Sequence, residues 1–267
     1  MLVLAGGKGS RLRQSGIGEL ASTTKMLVEI EDDRGHREPM VSATIRGLER
    51  AGFSRIAVLT SDDADAQAAD VEAQVLRQFA HLAGLRVLRE WQPLGTAGSV
   101  YAAMRHVGWD LVLVCPGDTL FPYELLVDGL VRHSAEDRDA TWFVTSNAGP
   151  SAQNQGRLII EPTEQRLMVA CEGDSSDASP GESISGSGRV TSVGAMLLRT
   201  AWFVSMFESY ADVAATQLPI DLYRDLIPWV LKQGERVFVH DIRMSAPDLG
   251  TADRLFRHGR NTKGQAP

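Results

Sequence analysis

Cysteine is nearly absent from this 267-residue chain: only Cys115 and Cys171 occur, too few for a disulfide scaffold and without the paired spacing of a zinc site. That usage fits a reducing cytoplasm. Lysine is also scarce. Of 27 basic residues only Lys8, Lys25, Lys232 and Lys263 are lysines, so surface cations are mostly arginine. Basic charge as a whole is outweighed, leaving a formal net charge of -7. No basic face for nucleic acid or an anionic membrane is therefore expected, and any anionic ligand must be met by local cations. Long apolar runs are missing as well. The apolar start, Met1–Ala5, reaches glycine too soon for a signal-peptide core, and nothing approaches the roughly 20 residues of a membrane span. The opening strand is short enough to expect that a few native residues precede it. Hydrophobic residues at 43% and charged residues at 23% suit a folded globular protein.

What is present alternates. Apolar runs at Met1–Ala5, Arg55–Thr60, Leu85–Arg89 and Leu111–Cys115 read as buried strands. Helical patterns fall between and after them at Met40–Ala51, Ala64–Phe79, Ala97–Val107 and Tyr123–His133. The alternation predicts an α/β fold with a mainly parallel central sheet flanked by helices and ligands at the strands' carboxyl ends. Extended stretches at Thr141–Ser146, Arg157–Glu161, Gln165–Cys171 and Val190–Arg199 then arrive without long helices between them, which predicts a smaller mixed-sheet lobe. Gly173–Gly188, with six serines and four glycines, reads as a mobile surface loop. A helix over Pro219–Gln233, a strand over Arg236–Ile242 and a helix after Gly250 complete the pattern, with no internal repeat. One catalytic domain is expected over 1–259, with a nucleotide part near 1–120, a sugar part near 140–250 and a flexible tail at 260–267.

Leu4-Ala5-Gly6-Gly7-Lys8-Gly9-Ser10-Arg11-Leu12 follows the first strand directly. Glycines there let backbone N–H groups approach a polyphosphate, and Arg11 adds a guanidinium fork that matches phosphate oxygens. The same cluster could be a ligand-free strand-to-helix turn. It is not a Walker A loop, because Gly9 follows Lys8, and it lacks the third glycine of the dinucleotide fingerprint. Lys25 opens an apolar stretch, Lys25–Val28, read as a strand. It is either a compact charge for a phosphate or a solvated strand-edge lysine.

With the loop and Lys25, Pro93–Gly98, Pro116–Phe121, Val193-Gly194 and Pro247–Thr251 stand in an order that resembles the sugar-phosphate nucleotidyltransferases, the NDP-sugar pyrophosphorylases, whose sheet is GT-A-like or Rossmann-like. The closest likeness is to short guanylyltransferases acting on mannose- or heptose-1-phosphate and to relatives that take cyclitol phosphates. The resemblance implies transfer of a nucleoside monophosphate from an NTP to a sugar-1-phosphate or cyclitol phosphate, with Mg²⁺ as cofactor. It assigns Leu4, Ala5, Gly6, Gly7, Gly9, Ser10, Gln92, Pro93, Gly95, Thr96, Ala97 and Gly117 to the nucleotide. Arg11, Lys25 and Asp118 fall to catalysis, Asp118 and Asp248 to the metal, and Glu172, Val193 and Gly194 to the sugar. Asp118 and Asp248 could otherwise be helix caps, and the acidic run Asp62-Asp63-Ala64-Asp65 reads as the cap of a solvated helix.

Two residues depart from the family pattern: Gly173 stands at the expected acceptor lysine and Thr24 at the proline before Lys25. Arg157 or Arg189 could compensate. A phosphate monoester is already largely dianionic near neutrality, so no general base is needed and the six histidines are left without a role. The alternatives are a GT-A glycosyltransferase, which would show an Asp-x-Asp pair where this chain has Pro116-Gly117-Asp118, and a non-catalytic nucleotide-sugar-binding regulatory homologue. A homodimer is the family-based expectation.

Overall fold

The computed structural model describes residues 1–7, 24–31, 35–61, 67–90, 94–147, 157–171, 188–214, 219–244 and 246–263. In chain order these form β1 (Leu2–Leu4), a 3₁₀ turn (Lys25–Leu27), β2 (Glu29–Glu31), β3 (Arg37–Pro39), α1 (Met40–Arg50), β4 (Ile56–Ser61), α2 (Gln67–Gln78), β5 (Leu85–Glu90), α3 (Gly95–Val107), β6 (Leu111–Pro116), α4 (Tyr123–Ala135) and β7 (Ala140–Thr145). There follow β8 (Arg157–Glu161), β9 (Arg166–Cys171), β10 (Gly188–Arg199), α5 (Thr200–Ala214), a π-helical turn (Leu222–Leu226), α6 (Ile227–Lys232), β11 (Phe238–Asp241) and α7 (Ala252–Lys263). The fold is mixed α/β, as the alternation of apolar runs and amphipathic stretches predicts. The chain divides into two compact units, one of Met1–Gln92, Cys115–Tyr123 and Ala246–Pro267, the other of Pro93–Val114 and Glu124–Ser245.

In the first unit β1 pairs parallel with β4, and β4 with β5. Leu2, Val3, Ile56, Ala57 and Val58 are buried, which is why β1 and the start of β4 are continuous apolar runs, whereas β5 carries Arg86, Arg89 and Glu90 and has no fully buried residue. α1 buries Met40, Val41, Ile45 and Leu48. Gly47 on the same helix makes room for the Tyr123 ring, since a Cβ there would lie 2.1 Å from Tyr123 Cε2. Buried Glu38 accepts from Arg46 Nη2 at 3.0 Å and from Gln78 Nε2 at 3.2 Å, so its charge is paired rather than stranded.

The stretch Lys25–Val28 corrects the expectation of a strand. Leu27 N–H donates to Thr24 O at 2.8 Å and Val28 N–H to Lys25 O at 3.2 Å, closing a 3₁₀ turn. The strand begins only at Glu29, paired antiparallel with β3. A three-residue apolar run carries no period that could separate a turn from a strand.

In the second unit β10 runs antiparallel to β6, β7 and β8, while β11 lies parallel to β7. The β10–β7 ladder shifts register between Ser192 and Met196, and Gly194, within that shift, has φ +79°, a conformation open to glycine at little cost. The expected helix over Pro219–Gln233 begins instead as the π-helical turn. Pro228 has no N–H to donate to the Arg224 carbonyl, so the wider turn precedes α6.

Candidate functional site

Two loops of the first unit are zipped together by backbone. After β6 the chain enters Gly117-Asp118-Thr119, and Leu249 N–H donates to Asp118 O at 2.7 Å while Leu120 N–H donates to Pro247 O at 3.1 Å. Thr119 and Asp248 thus form an antiparallel bridge. Gly117 N–H donates to Leu4 O at 3.0 Å, and the Thr44 hydroxyl donates to Gly117 O at 3.1 Å. A Cβ at Gly117 would sit 2.6 Å from Met26 Cε and 3.0 Å from Leu4 O. Close approach of the β1 end, the 3₁₀ turn and the Asp118 loop therefore requires glycine there.

This scaffold brings Asp118, Asp248 and Lys25 to one place. Lys25 Nζ is ion-paired with Asp118 Oδ2. Asp248 Oδ2 is ion-paired with Arg254 Nη1, and Asp248 Oδ1 accepts the Gly250 N–H at 2.6 Å. A Cβ added to Gly250 would lie 2.7 Å from Asp248 Oδ1, 3.0 Å from Asp118 Oδ2 and 3.1 Å from Lys25 Nζ. Two carboxylate oxygens and an ammonium thus crowd one side of the Gly250 Cα, where any side chain would come between them. The four side chains are 9% to 27% exposed, so their charges are only partly screened.

That donor set fits a hard divalent cation. Mg²⁺ takes oxygen ligands at about 2.0–2.1 Å, commonly one or two carboxylates, and completes its shell with phosphates and water. Among the described residues no group of three or more His, Cys, Asp or Glu could hold an ion. The fit is to a shared site that a phosphate ligand must complete.

Beside it, Ala5 N–H donates to Leu59 O at 2.8 Å, which carries β1 into the glycines. A Cβ at Gly6 would come within 3.0 Å of Ser61 N, whereas one at Gly7 would meet nothing within 4 Å. Gly9, Ser10, Arg11, Gln92, Pro93 and Glu172 lie outside the described residues, as do Asp62, Asp63, Ala64, Asp65 and most of Gly173–Gly188.

The other expected residues belong to the second unit. Gly95 has φ +79° and a Cβ there would be 2.3 Å from Ile220 O. Ala97 N–H donates to Ile220 O at 3.0 Å, and Ile220 N–H to Leu94 O at 2.9 Å. Thr96 Oγ1 donates to Asp221 Oδ2 at 3.0 Å and accepts Leu222 N–H at 2.8 Å. Val193 is buried. Gly194 N–H donates to Ser192 Oγ at 3.0 Å, and the Tyr223 hydroxyl donates to Gly194 O. Tyr223 also packs on Trp142, ring centroids 5.1 Å apart. The segment Ile220–Tyr223 therefore ties the Gly95 turn to Gly194. Sequence reasoning missed it, as it missed Arg254, because neither carries a local motif. Arg189 is exposed on β10.

Residues 1–238 match the family model described as the MobA-like NTP transferase domain. The chain belongs to that family. The matched stretch of this nucleotidyltransferase includes Lys25 and Asp118 and ends before Asp248. No curated protein sequence matches the chain. Solved structures of similar fold include one from Bacillus anthracis assigned as a glucose-1-phosphate thymidylyltransferase, in complex with a sucrose, with TM-score 0.70 and 18% identity, over 100% of this chain and 96% of that one. HddC from Yersinia pseudotuberculosis, complexed with GMP-PN, aligns with TM-score 0.69 and 19% identity over 98% of both chains. The inositol-1-phosphate CTP transferase from T. maritima aligns with TM-score 0.68 and 20% identity over 100% and 96%. Among the described residues no helix is long and apolar enough to cross a membrane.

Proposed function

We propose that this nucleotidyltransferase moves a nucleoside monophosphate from an NTP to a sugar-1-phosphate or a sugar-like cyclitol phosphate, releasing pyrophosphate. The observation that carries the reading is that Asp118 Oδ2, Asp248 Oδ1 and Lys25 Nζ are gathered beside the Gly250 Cα, each within 3.1 Å of where a Cβ would stand. Asp118 and Asp248 hold Mg²⁺. When bound, the ion supplies charge neutralisation at the reacting phosphates. Lys25, paired with Asp118 in this structure, exchanges that partner for a phosphate oxygen, and Arg11 adds a second cation.

The backbone at Gly6, Gly7, Gly9 and Ser10 takes the phosphates. Leu4, Ala5, Gln92, Pro93, Gly95, Thr96, Ala97 and Gly117 take the nucleoside, and Glu172, Val193 and Gly194 the sugar. An oxygen of the acceptor's phosphate dianion attacks the α-phosphorus. The bond to the β-phosphate oxygen breaks, and its electron pair leaves with pyrophosphate. No general base is required, because the attacking oxygen carries no proton. GTP with a manno-configured, heptose or cyclitol phosphate is the favoured pair. Its support is the likeness of Pro93–Gly98 and Gly117–Phe121 to guanylyltransferases, together with neighbours bound to GMP-PN in one case and acting on inositol-1-phosphate in another.

A pyrophosphate-release assay across ATP, CTP, GTP, UTP and dTTP with hexose, heptose and inositol phosphates tests this. The expected result is Mg²⁺-dependent release that is greatest with GTP and is lost in Asp118→Asn. Release by no combination, or undiminished release by Asp118→Asn, defeats the reading.

A further inference from the structure

Arg254 sits where simple electrostatics argues against it. It lies in the first turn of α7, its side chain only 9% exposed, with its guanidinium on Asp248 Oδ2. A fixed cation beside a carboxylate that is to bind a divalent cation opposes the ion by plain charge repulsion. Its effect on geometry runs the other way.

Asp248 has two oxygens and two partners. Oδ2 is taken by Arg254 and Oδ1 accepts the Gly250 N–H at 2.6 Å. Oδ1 is also the Asp248 oxygen on the side of Asp118 and Lys25: a Cβ at Gly250 would lie 2.7 Å from it, 3.0 Å from Asp118 Oδ2 and 3.1 Å from Lys25 Nζ. Without Arg254 the carboxylate is held through Oδ1 alone and can turn about its terminal torsion, which is broad and roughly two-fold. The arginine is itself placed by the chain. Leu255 N–H donates to Thr251 O at 3.0 Å and Arg254 N–H to Thr251 Oγ1 at 3.4 Å, so Thr251 starts α7 and sets the arginine's direction.

We infer that Arg254 is a positioning residue that holds Asp248 with Oδ1 turned toward Asp118, strengthening binding of the divalent cation even though it adds positive charge beside it. The inference rests on the proposed sharing of a cation by Asp118 and Asp248. Residues that orient a metal-binding side chain typically contribute 10–100-fold in metal affinity. The two effects of Arg254 therefore differ in sign, and removing it decides between them.

The experiment measures Mn²⁺ binding by the loss of the free-ion electron paramagnetic resonance signal, in the full chain with a non-hydrolysable GTP analogue present. Wild type, Asp118→Asn, Arg254→Met and Arg254→Lys are compared. Positioning predicts that Arg254→Met binds Mn²⁺ about 10–100-fold more weakly. Arg254→Lys, which keeps the charge and loses the planar reach, falls between it and wild type. Tighter or unchanged binding in Arg254→Met, with Asp118→Asn deficient, overturns the inference and leaves the metal site standing. Wild-type binding by Asp118→Asn instead removes the metal site itself. If Arg254→Met does not fold, Arg254→Lys still decides: binding equal to wild type means that only charge counts, and weaker binding supports positioning.

Discussion

Gly250→Ala is the sharpest perturbation the geometry offers, because one methyl group tests the site without removing a charge. Gly250 is not among the glycines with a left-handed backbone, so alanine fits the local conformation. The new Cβ arrives 2.7 Å from Asp248 Oδ1, closer than Cβ atoms approach other heavy atoms, and 3.0 and 3.1 Å from Asp118 Oδ2 and Lys25 Nζ. The carboxylate of Asp248 must retreat by several tenths of an ångström, and a methyl group is wedged among the two acids and the lysine. A misplacement of about 1 Å in an active site costs on the order of 100-fold in rate, or about 2.7 kcal/mol in the barrier. The displacement here is smaller but touches three charged groups, so the variant is expected to lose roughly 10–100-fold in kcat at saturating NTP, and to need more Mg²⁺ for half-maximal rate. Its thermal midpoint should fall by no more than a few degrees, since the displaced atoms are ends of side chains. Pyrophosphate release under a Mg²⁺ titration, with a melting curve on the same preparation, reads all three. Wild-type kcat and Mg²⁺ dependence in a folded Gly250→Ala protein would refute the claim that chemistry occurs at this point.

Gly7→Ala, whose Cβ meets nothing within 4 Å, should leave stability within about 0.5 kcal/mol and raise the KM for NTP several-fold; an unchanged KM places the phosphates elsewhere. Thr96→Val removes both the donor to Asp221 and the acceptor for Leu222 N–H, and chemical denaturation should show a loss of about 1–3 kcal/mol. An unaltered midpoint would mean that the Gly95 turn is held without that hydroxyl. His133, buried against Thr141 and next to Arg199 and Arg138, has its pKa lowered from 6.5 to about 4, chiefly by burial and then by those arginines. Because the folded value lies below the unfolded one, the native state resists protonation. His133 accordingly costs no stability above about pH 6.5, and up to about 3 kcal/mol is lost as pH falls from there toward 4. His133→Gln should flatten that part of the stability profile, as read by urea midpoints from pH 7 to 4; an identical slope assigns the acid sensitivity to other groups.

The parts of this fold legible in the sequence are those fixed by local pattern. Ile56–Leu59 and Leu111–Cys115 are apolar throughout because both faces are covered, and α1 shows its buried stripe at helical spacing. The β2–β3 hairpin escaped notice because Glu29–Glu31 and Arg37–Pro39 are short and largely polar, with no apolar alternation to mark them. Lys25 stands out as one of four lysines, opening an apolar stretch, whereas Asp118 and Asp248 are marked by family likeness. Their meeting is long-range, made by backbone bonds between Asp118-Thr119-Leu120 and Pro247-Asp248-Leu249, and no spacing in the chain encodes it. The same holds for Gly250, which reads as an ordinary turn glycine until its missing Cβ is seen to face three charged atoms.

On the proposed assignment of roles, backbone pairing also makes chemistry and selectivity separable. The carbonyl of Asp118 is fixed by the Leu249 N–H, and the carbonyl of Gly117 by the Thr44 hydroxyl. The backbone that carries both aspartates is thereby fixed, while the Asp248 side chain is held by the Gly250 N–H and by Arg254. In the second unit, by contrast, the Gly194 N–H is engaged by Ser192 and its carbonyl by Tyr223. Any discrimination exercised near Gly194 thus falls on side chains such as Tyr223, which can be replaced without disturbing a single bond of the Asp118–Asp248 bridge. A charged centre with a fixed backbone and a separate set of substitutable side chains can, on that assignment of roles, keep one reaction while the acceptor changes.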